Sequence, residues 1–302
     1  MIQRFRSIAL MLFLVAGGLV LAWLSQESTR EVLPRTEGAR IERVVCMHPA
    51  VTELFYALGQ EGRLAAVSNF CTVPAAAREK PSIGDTLQPD LERILTLAPD
   101  LVIVSGDLPA MTTFCRQRGL PMENLHMEGI EGIHRGILRL GELLDETARA
   151  ETLWQEIEAE LAIVRGQIAQ QPPVPTFFAF YRVSGSLAGM TTAGAGTYID
   201  ELITLAGGRN IFADLAEPYP QVSKETLLRR QPQVIIEPRD SQDLTEARRA
   251  SYRADWQPLA VPAVHQQRIA FPDQDLLLRP GPRVGQAARV LAEILHPECF
   301  RE

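Results

Sequence analysis

One phrase occurs twice in this chain, 133 residues apart, with a glutamate at the same place in each copy. Asp90-Leu91-Glu92-Arg93-Ile94-Leu95 runs on to Pro99-Asp100-Leu101-Val102-Ile103-Val104, and Ser223-Lys224-Glu225-Thr226-Leu227-Leu228 runs on to Pro232-Gln233-Val234-Ile235-Ile236. Asp90 and Ser223 suit a helix N-cap. Each glutamate falls at the second helical position, where the positive end of the helix dipole favours it, and each proline marks the exit into a buried apolar strand. The spacing is too wide for a solenoid and points to two lobes of similar construction. A second echo supports duplication: Thr52 to Gly59 and Asp200 to Gly208 are both short amphipathic patterns closed by a glycine able to cap a helix in the left-handed conformation.

The chain's 302 residues suffice for two domains, and a formal net charge of -7 argues against a nucleic-acid partner, which would require clustered Lys and Arg. Arg4 and Arg6 precede an uncharged apolar run from Ile8 to Leu24, followed by the polar Glu27, Arg30 and Glu31. This is the layout of an export signal, or of a retained anchor attaching the chain to the membrane through residues 8–24, since Val20 and Ala22 make a mediocre cleavage site. Either way the folded part lies outside the cytoplasm. Four cysteines, Cys46, Cys71, Cys115 and Cys299, then meet conditions that permit disulfides. Three connectivities are open if all four pair; a bond involving Cys71 and Cys115 is one expectation, and Cys46 as a plain buried thiol is another.

Short apolar strands alternating with helices predict parallel α/β sheets. The expected organisation is a signal or anchor over residues 1–25, a linker over 26–40, an N-terminal α/β lobe over 41–143, a bridging helix over 144–172 and a C-terminal α/β lobe over 173–302. In the bridge, Leu153, Ile157, Leu161, Val164 and Ile168 recur at steps of three and four from about Asp145 to Gln170, until Pro172-Pro173 stops the helix. The loop bearing Gly185, Gly189, Gly194 and Gly196 reads as turns, with Met190 to Ala193 between them.

The residues Arg43-Val44-Val45 with Pro49 and Thr52-Glu53, Pro81-Ser82-Ile83-Gly84, the repeated helix, Ala206-Gly207-Gly208-Arg209-Asn210, Tyr219-Pro220-Gln221-Val222 and Arg279-Pro280-Gly281-Pro282-Arg283 resemble the periplasmic solute-binding proteins of ABC importers for cobalamin and iron chelates. The resemblance covers essentially everything after Arg40. It implies two lobes joined by one long rigid helix, a ligand cleft between them, and no covalently bound cofactor. It also implies a partner, an ABC permease dimer with its ATPase subunits, onto whose arginines Glu92 and Glu225 would dock. Both glutamates would also stabilise their own helix N-termini, by about 0.3 to 1 kcal/mol each.

For a corrinoid, the resemblance suggests Tyr219 and Phe70 as apolar walls and Asp275 with Arg279 as a polar pair, although the tryptophans that some cobalamin binders carry near Ser82-Ile83-Gly84 and Ser105-Gly106-Asp107 are missing here. An anionic iron chelate such as a ferric siderophore would instead draw on Arg182, Arg279 and Arg283. Haem would need Tyr181 or His48. The five histidines are scattered, without the spacing of a metal site. No phosphate loop, nucleophile elbow or His-Glu-x-x-His pair supports an enzyme. A chelatase-like enzyme of similar fold and a membrane-tethered ligand sensor are the rival readings.

Overall fold

The computed structural model describes residues 40–300, so the export signal or anchor and most of the linker lie outside the described residues. The first lobe runs β1 (Val44–Cys46), α1 (Pro49–Ala57), β2 (Leu64–Val67), α2 (Leu91–Thr96), β3 (Leu101–Val104), α3 (Pro109–Arg118) and β4 (Met122–Asn124), followed by α4 (Gly129–Leu143) and α5 (Thr147–Ile168). The second runs β5 (Val174–Phe178), β6 (Met190–Thr191), α6 (Tyr198–Leu205), β7 (Gly208–Asn210), β8 (Gln221–Val222), α7 (Lys224–Arg230), β9 (Val234–Ile236), α8 (Glu246–Trp256), α9 (Pro262–His265), β10 (Ile269–Ala270), α10 (Gln274–Leu277) and α11 (Val284–Leu295). The strands form two parallel sheets, β2-β1-β3-β4 and β10-β9-β5-β7, with a small antiparallel ribbon of β6 and β8. The parallel α/β class expected from the alternating pattern is therefore present in both halves.

Both faces of each sheet are covered, which is why the strands are apolar throughout rather than alternating. Successive side chains point to opposite faces. Val45, Met47, Val102 and Val104 pack outward with Met111 and Cys115, whereas Val44, Cys46, Leu101 and Ile103 face inward. In the second sheet Phe177 and Ile235 pack outward against Trp256, and Phe178, Val234 and Ile236 face inward. The two inward faces belong to one continuous apolar core, joined through α4, α5, α6 and α11.

The bridging helix α5 is 22 residues long and buries Ala150, Leu153, Ile157, Leu161, Val164 and Ile168, which include every position of the apolar stripe. It does not bridge alone: α4 and α11 pack along it, and α6 packs on both α4 and α11. Glycines permit the closest approaches, since a Cβ on Gly141 would sit 2.4 Å from the Ala150 Cβ and one on Gly136 would sit 2.2 Å from the Met127 sulfur. The turn-like reading of Met190 to Ala193 needs correction. Met190 and Thr191 pair with Val222 and Gln221, and the chain between Leu215 and Pro220 passes so close to Gly194 that a Cβ there would collide with the Glu217 carbonyl oxygen.

Both copies of the repeated phrase are built as their sequences dictate. The Asp90 carboxylate accepts from the Arg93 amide, and the Ser223 hydroxyl accepts from the Thr226 amide, so one orphan donor is satisfied at the start of each of α2 and α7. In the second echo Gly59 and Gly207 follow α1 and α6 with φ of 68° and 79°, the left-handed conformation expected at a helix end. Among the described residues no helix is long and apolar enough to cross a membrane. In this structure all four cysteines are free thiols. A Cys71–Cys115 bond does not form, because the two belong to different sides of the first sheet.

Candidate functional site

The lobes meet in a polar clasp between the start of α1 and the segment from Asp273 to Arg283. Glu53, 5% exposed at its side chain, holds Arg283 through both carboxylate oxygens at 2.6 and 2.8 Å. Arg283 also donates to the Asp275 carbonyl oxygen at 2.9 Å. Arg279 pairs with the Asp275 carboxylate at 2.8 Å and donates to the Thr72 hydroxyl at 3.1 Å, and that hydroxyl lies 3.4 Å from the other Asp275 oxygen. A Cβ on Gly281 would come within 2.8 Å of the Ala50 Cβ, so only glycine lets the C-terminal segment lie this close to α1. The expected pair of Asp275 and Arg279 is thus assembled, with Thr72 and Glu53 as first-lobe partners.

Arg279 Nη1 is buried without a hydrogen bond, with the Glu53 carboxylate 3.8 Å away. His48 Nδ1 is likewise buried and unpartnered. Burial, reinforced by the Arg279 charge, pushes the His48 imidazole down to about 4, so it is neutral at ordinary pH.

Aromatic groups gather in the second lobe. Phe180 follows the end of β5 and stands edge-on to Phe178 at 4.9 Å and to Tyr219 at 5.4 Å between ring centroids. Tyr219 and Tyr181 are each 61% exposed, and Phe70 in the first lobe is 51% exposed. Exposed aromatic faces on rigid backbones suit a broad, flat, apolar ligand. Phe180 was not singled out by its sequence context; its place immediately before Tyr181, at the C-terminal end of a buried strand, is the signal that locates it.

Arg182 does not join this surface. Its side chain is 0% exposed and pairs with Glu237 at 2.8 Å and Asp255 at 2.7 Å, while Trp256 Nε1 donates to the second Glu237 oxygen at 2.8 Å. The guanidinium is buried and ion-paired inside the second lobe, so it presents no exposed grip to a chelate. Its neighbours Tyr181 and Val183 are exposed, so the chain turns Arg182 inward between two surface residues.

Glu92 and Glu225 occupy the first turns of α2 and α7. A hydrogen bond from the Ser223 side chain holds the Glu225 carboxyl below the usual carboxylate range, so it is ionised at neutral pH. Beside Glu225 lies a concavity of about 480 Å³, lined by Ser186 to Gly189 and Gln221 to Glu225. Among the described residues no group of three or more His, Cys, Asp or Glu is placed to hold a metal ion.

Two similar parallel α/β lobes around a shared helical layer, with exposed aromatics and a polar clasp where they meet, define a solute-binding protein. The chain belongs to the periplasmic binding protein family, whose profile matches residues 44–247. A vitamin B12-binding protein of Vibrio cholerae is 30% identical over 256 residues, spanning 84% of this chain and 89% of that one, and one of Yersinia pestis is 30% identical over 254 residues, spanning 83% and 85%. Among solved structures, the periplasmic vitamin B12-binding protein of V. cholerae superposes with a TM-score of 0.72 at 28% identity, covering 87% of this chain and 99% of that one. The periplasmic heme-binding protein of Roseiflexus superposes with a TM-score of 0.74 at 27% identity, covering 86% and 99%. Proteins of this family and fold are binding proteins that deliver small ligands to ABC importers, and these relatives lie outside the cytoplasm.

Proposed function

We propose that this chain captures a corrinoid outside the cytoplasm and hands it unchanged to an ABC importer. Two observations carry the reading: an aromatic wall in the second lobe, Phe180 edge-on to the exposed Tyr219, and the Thr72, Asp275 and Arg279 cluster at the lobe junction. A corrin macrocycle has a flat apolar face and an amide-bearing rim, and these two surfaces match those two features. The curated relatives named for vitamin B12 support the same ligand class. Phe70 supplies the opposite wall in this reading, residues 1–25 direct export, and the lobes span 41–143 and 173–302 with the bridge at 144–172. Glu92 and Glu225 dock on the permease.

Haem is the second reading, favoured by the exposed Tyr181 and the likeness to a solved heme-binding protein at 27% identity. Calorimetric titration with cyanocobalamin, cobinamide, hemin and a ferric siderophore separates them. Corrinoid binding that weakens by about 1 to 3 kcal/mol in Tyr219→Ala, with hemin unbound, is the expected result. Binding of hemin or the siderophore alone would overturn the corrinoid reading and leave family membership untouched.

A further inference from the structure

Cys46 ends β1, and Cys71 lies in the loop after the neighbouring strand β2. The Ser68 amide bonds to the Cys46 carbonyl at 3.2 Å and the Cys71 amide closes a turn on the Ser68 carbonyl at 3.1 Å, which folds Cys71 back over the end of β1. Both thiols are buried, at 0% and 2% exposure. The Thr52 hydroxyl lies 3.1 Å from the Cys71 sulfur and 3.4 Å from the Cys46 sulfur, so one oxygen touches both. It has one proton and cannot donate to both sulfurs together. The other cysteines stand apart: Cys115 is packed against Met111 on the far side of the sheet, and Cys299 is partly exposed near the C-terminal end.

We propose that Cys46 and Cys71 form a disulfide when the chain folds in an oxidising compartment, stapling the first-lobe half of the polar clasp. The residues next to the pair are those that grip the C-terminal segment: Thr52 precedes Glu53, which holds Arg283, and Cys71 precedes Thr72, which holds Arg279. A cross-link between β1 and this loop holds both grips in register. The oxidant is a thiol disulfide, small-molecule or protein. One cysteine thiolate attacks it to give a mixed disulfide and release one thiol; the second cysteine then attacks the mixed disulfide, forming the Cys46–Cys71 bond and releasing the second thiol. The cysteines lose two protons and two electrons, and the oxidant disulfide gains them. Burial, with Cys71 adding to it, pushes the Cys46 thiol up to about 12, so the finished fold supplies little thiolate and the bond forms before the sheet closes.

The proposal rests on the export reading for its setting, and the test separates the two. The full chain in mild detergent is refolded from the reduced, denatured state in an oxidising glutathione buffer, then denatured and alkylated without reduction. The expected result is two labelled thiols, Cys115 and Cys299, with a proteolytic fragment joining Cys46 to Cys71 that disappears on reduction. Reductant should lower the melting temperature of the oxidised protein by roughly 5 °C or more and leave that of Cys46→Ser unchanged. Four labelled thiols, or a bond to Cys115 or Cys299, would overturn the proposal. The same count is made on protein recovered from cells: two labelled thiols support the bond and export together, whereas four there with two in the glutathione arm keep the bond and remove the export reading.

Discussion

Replacing Glu53 by glutamine tests whether the polar clasp holds the two lobes together. The carboxylate is 5% exposed and grips Arg283 through two hydrogen bonds of 2.6 and 2.8 Å, with Arg279 at 3.8 Å. Removing one partner of a buried pair costs about 3 to 5 kcal/mol, because the remaining charge is left in a poor solvent for it. Glutamine keeps the shape and one acceptor for Arg283, and Arg283 keeps the Asp275 carbonyl, so the lower end applies, about 3 kcal/mol. For a chain of this size that lowers the melting temperature by roughly 6 to 12 °C. Thermal unfolding of Glu53→Gln, Arg283→Gln and the double mutant measures the coupling directly. A double mutant no less stable than the worse single one is expected, whereas single effects that add within about 0.5 kcal/mol would refute the clasp as a unit.

Three further outcomes follow from the same geometry. Arg182→Met should lower stability by about 3 kcal/mol, since it takes a fully buried cation from the buried Glu237, which keeps Trp256 and Arg239, and from the half-buried Asp255, yet leave ligand affinity unchanged; lost affinity at an unchanged melting temperature would return Arg182 to the ligand site. His48 is depressed to about 4 in the fold against 6.5 in the unfolded chain, so the unfolded chain binds the extra proton and stability falls as pH drops from about 6.5 toward 4, by up to about 1.4 kcal/mol per pH unit. His48→Gln should flatten that limb in pH-dependent unfolding, and an unchanged limb would assign it to other groups. Glu92→Gln combined with Glu225→Gln should leave ligand affinity and melting temperature nearly intact while uptake into vesicles falls, and normal uptake would reduce both glutamates to helix-end residues.

What was legible in the sequence depended on locality. The caps at Asp90 and Ser223, the closing glycines Gly59 and Gly207, and the apolar stripe from Leu153 to Ile168 are set by residues a few positions apart, and each is built as read. Helix α4 was harder to see because Gly132, Gly136 and Gly141 resemble helix breakers. They serve close packing, with Gly141 against Ala150 and Gly136 against Met127. Partnerships across the fold left no local trace. Glu53 and Arg283 are 230 positions apart, and Arg182 is neutralised by Asp255 from 73 positions away. A buried charge cannot be told from an exposed one until its partner is placed.

The repeat also bears on how a loaded receptor would differ from an empty one at the docking face. The two inward sheet faces share one apolar core with four helices, so a large hinge motion would have to expose side chains such as Phe178, Ile137 and Leu161 that are now buried. At about 25 cal/mol per Å² of apolar surface, opening even a few of them costs several kcal/mol, which argues for a cleft that stays nearly rigid. The proposed ligand walls and the proposed docking glutamates are instead linked through short stretches of backbone. In the second lobe Tyr219 leads through β8 to the Ser223 cap and Glu225. In the first, the loop from Phe70 is pinned where Ser82 bridges Val67 and where the Asp90 amide bonds to the Ile83 carbonyl, and Asp90 caps the helix bearing Glu92. On the proposed function, a ligand that orders either aromatic would act on a segment that ends in a glutamate proposed to dock. Hydrogen exchange should find ligand protection concentrated at residues 70–92 and 219–225 and weak along the bridging helix; protection spread evenly over Thr147–Ile168 would mean that the lobes move as bodies.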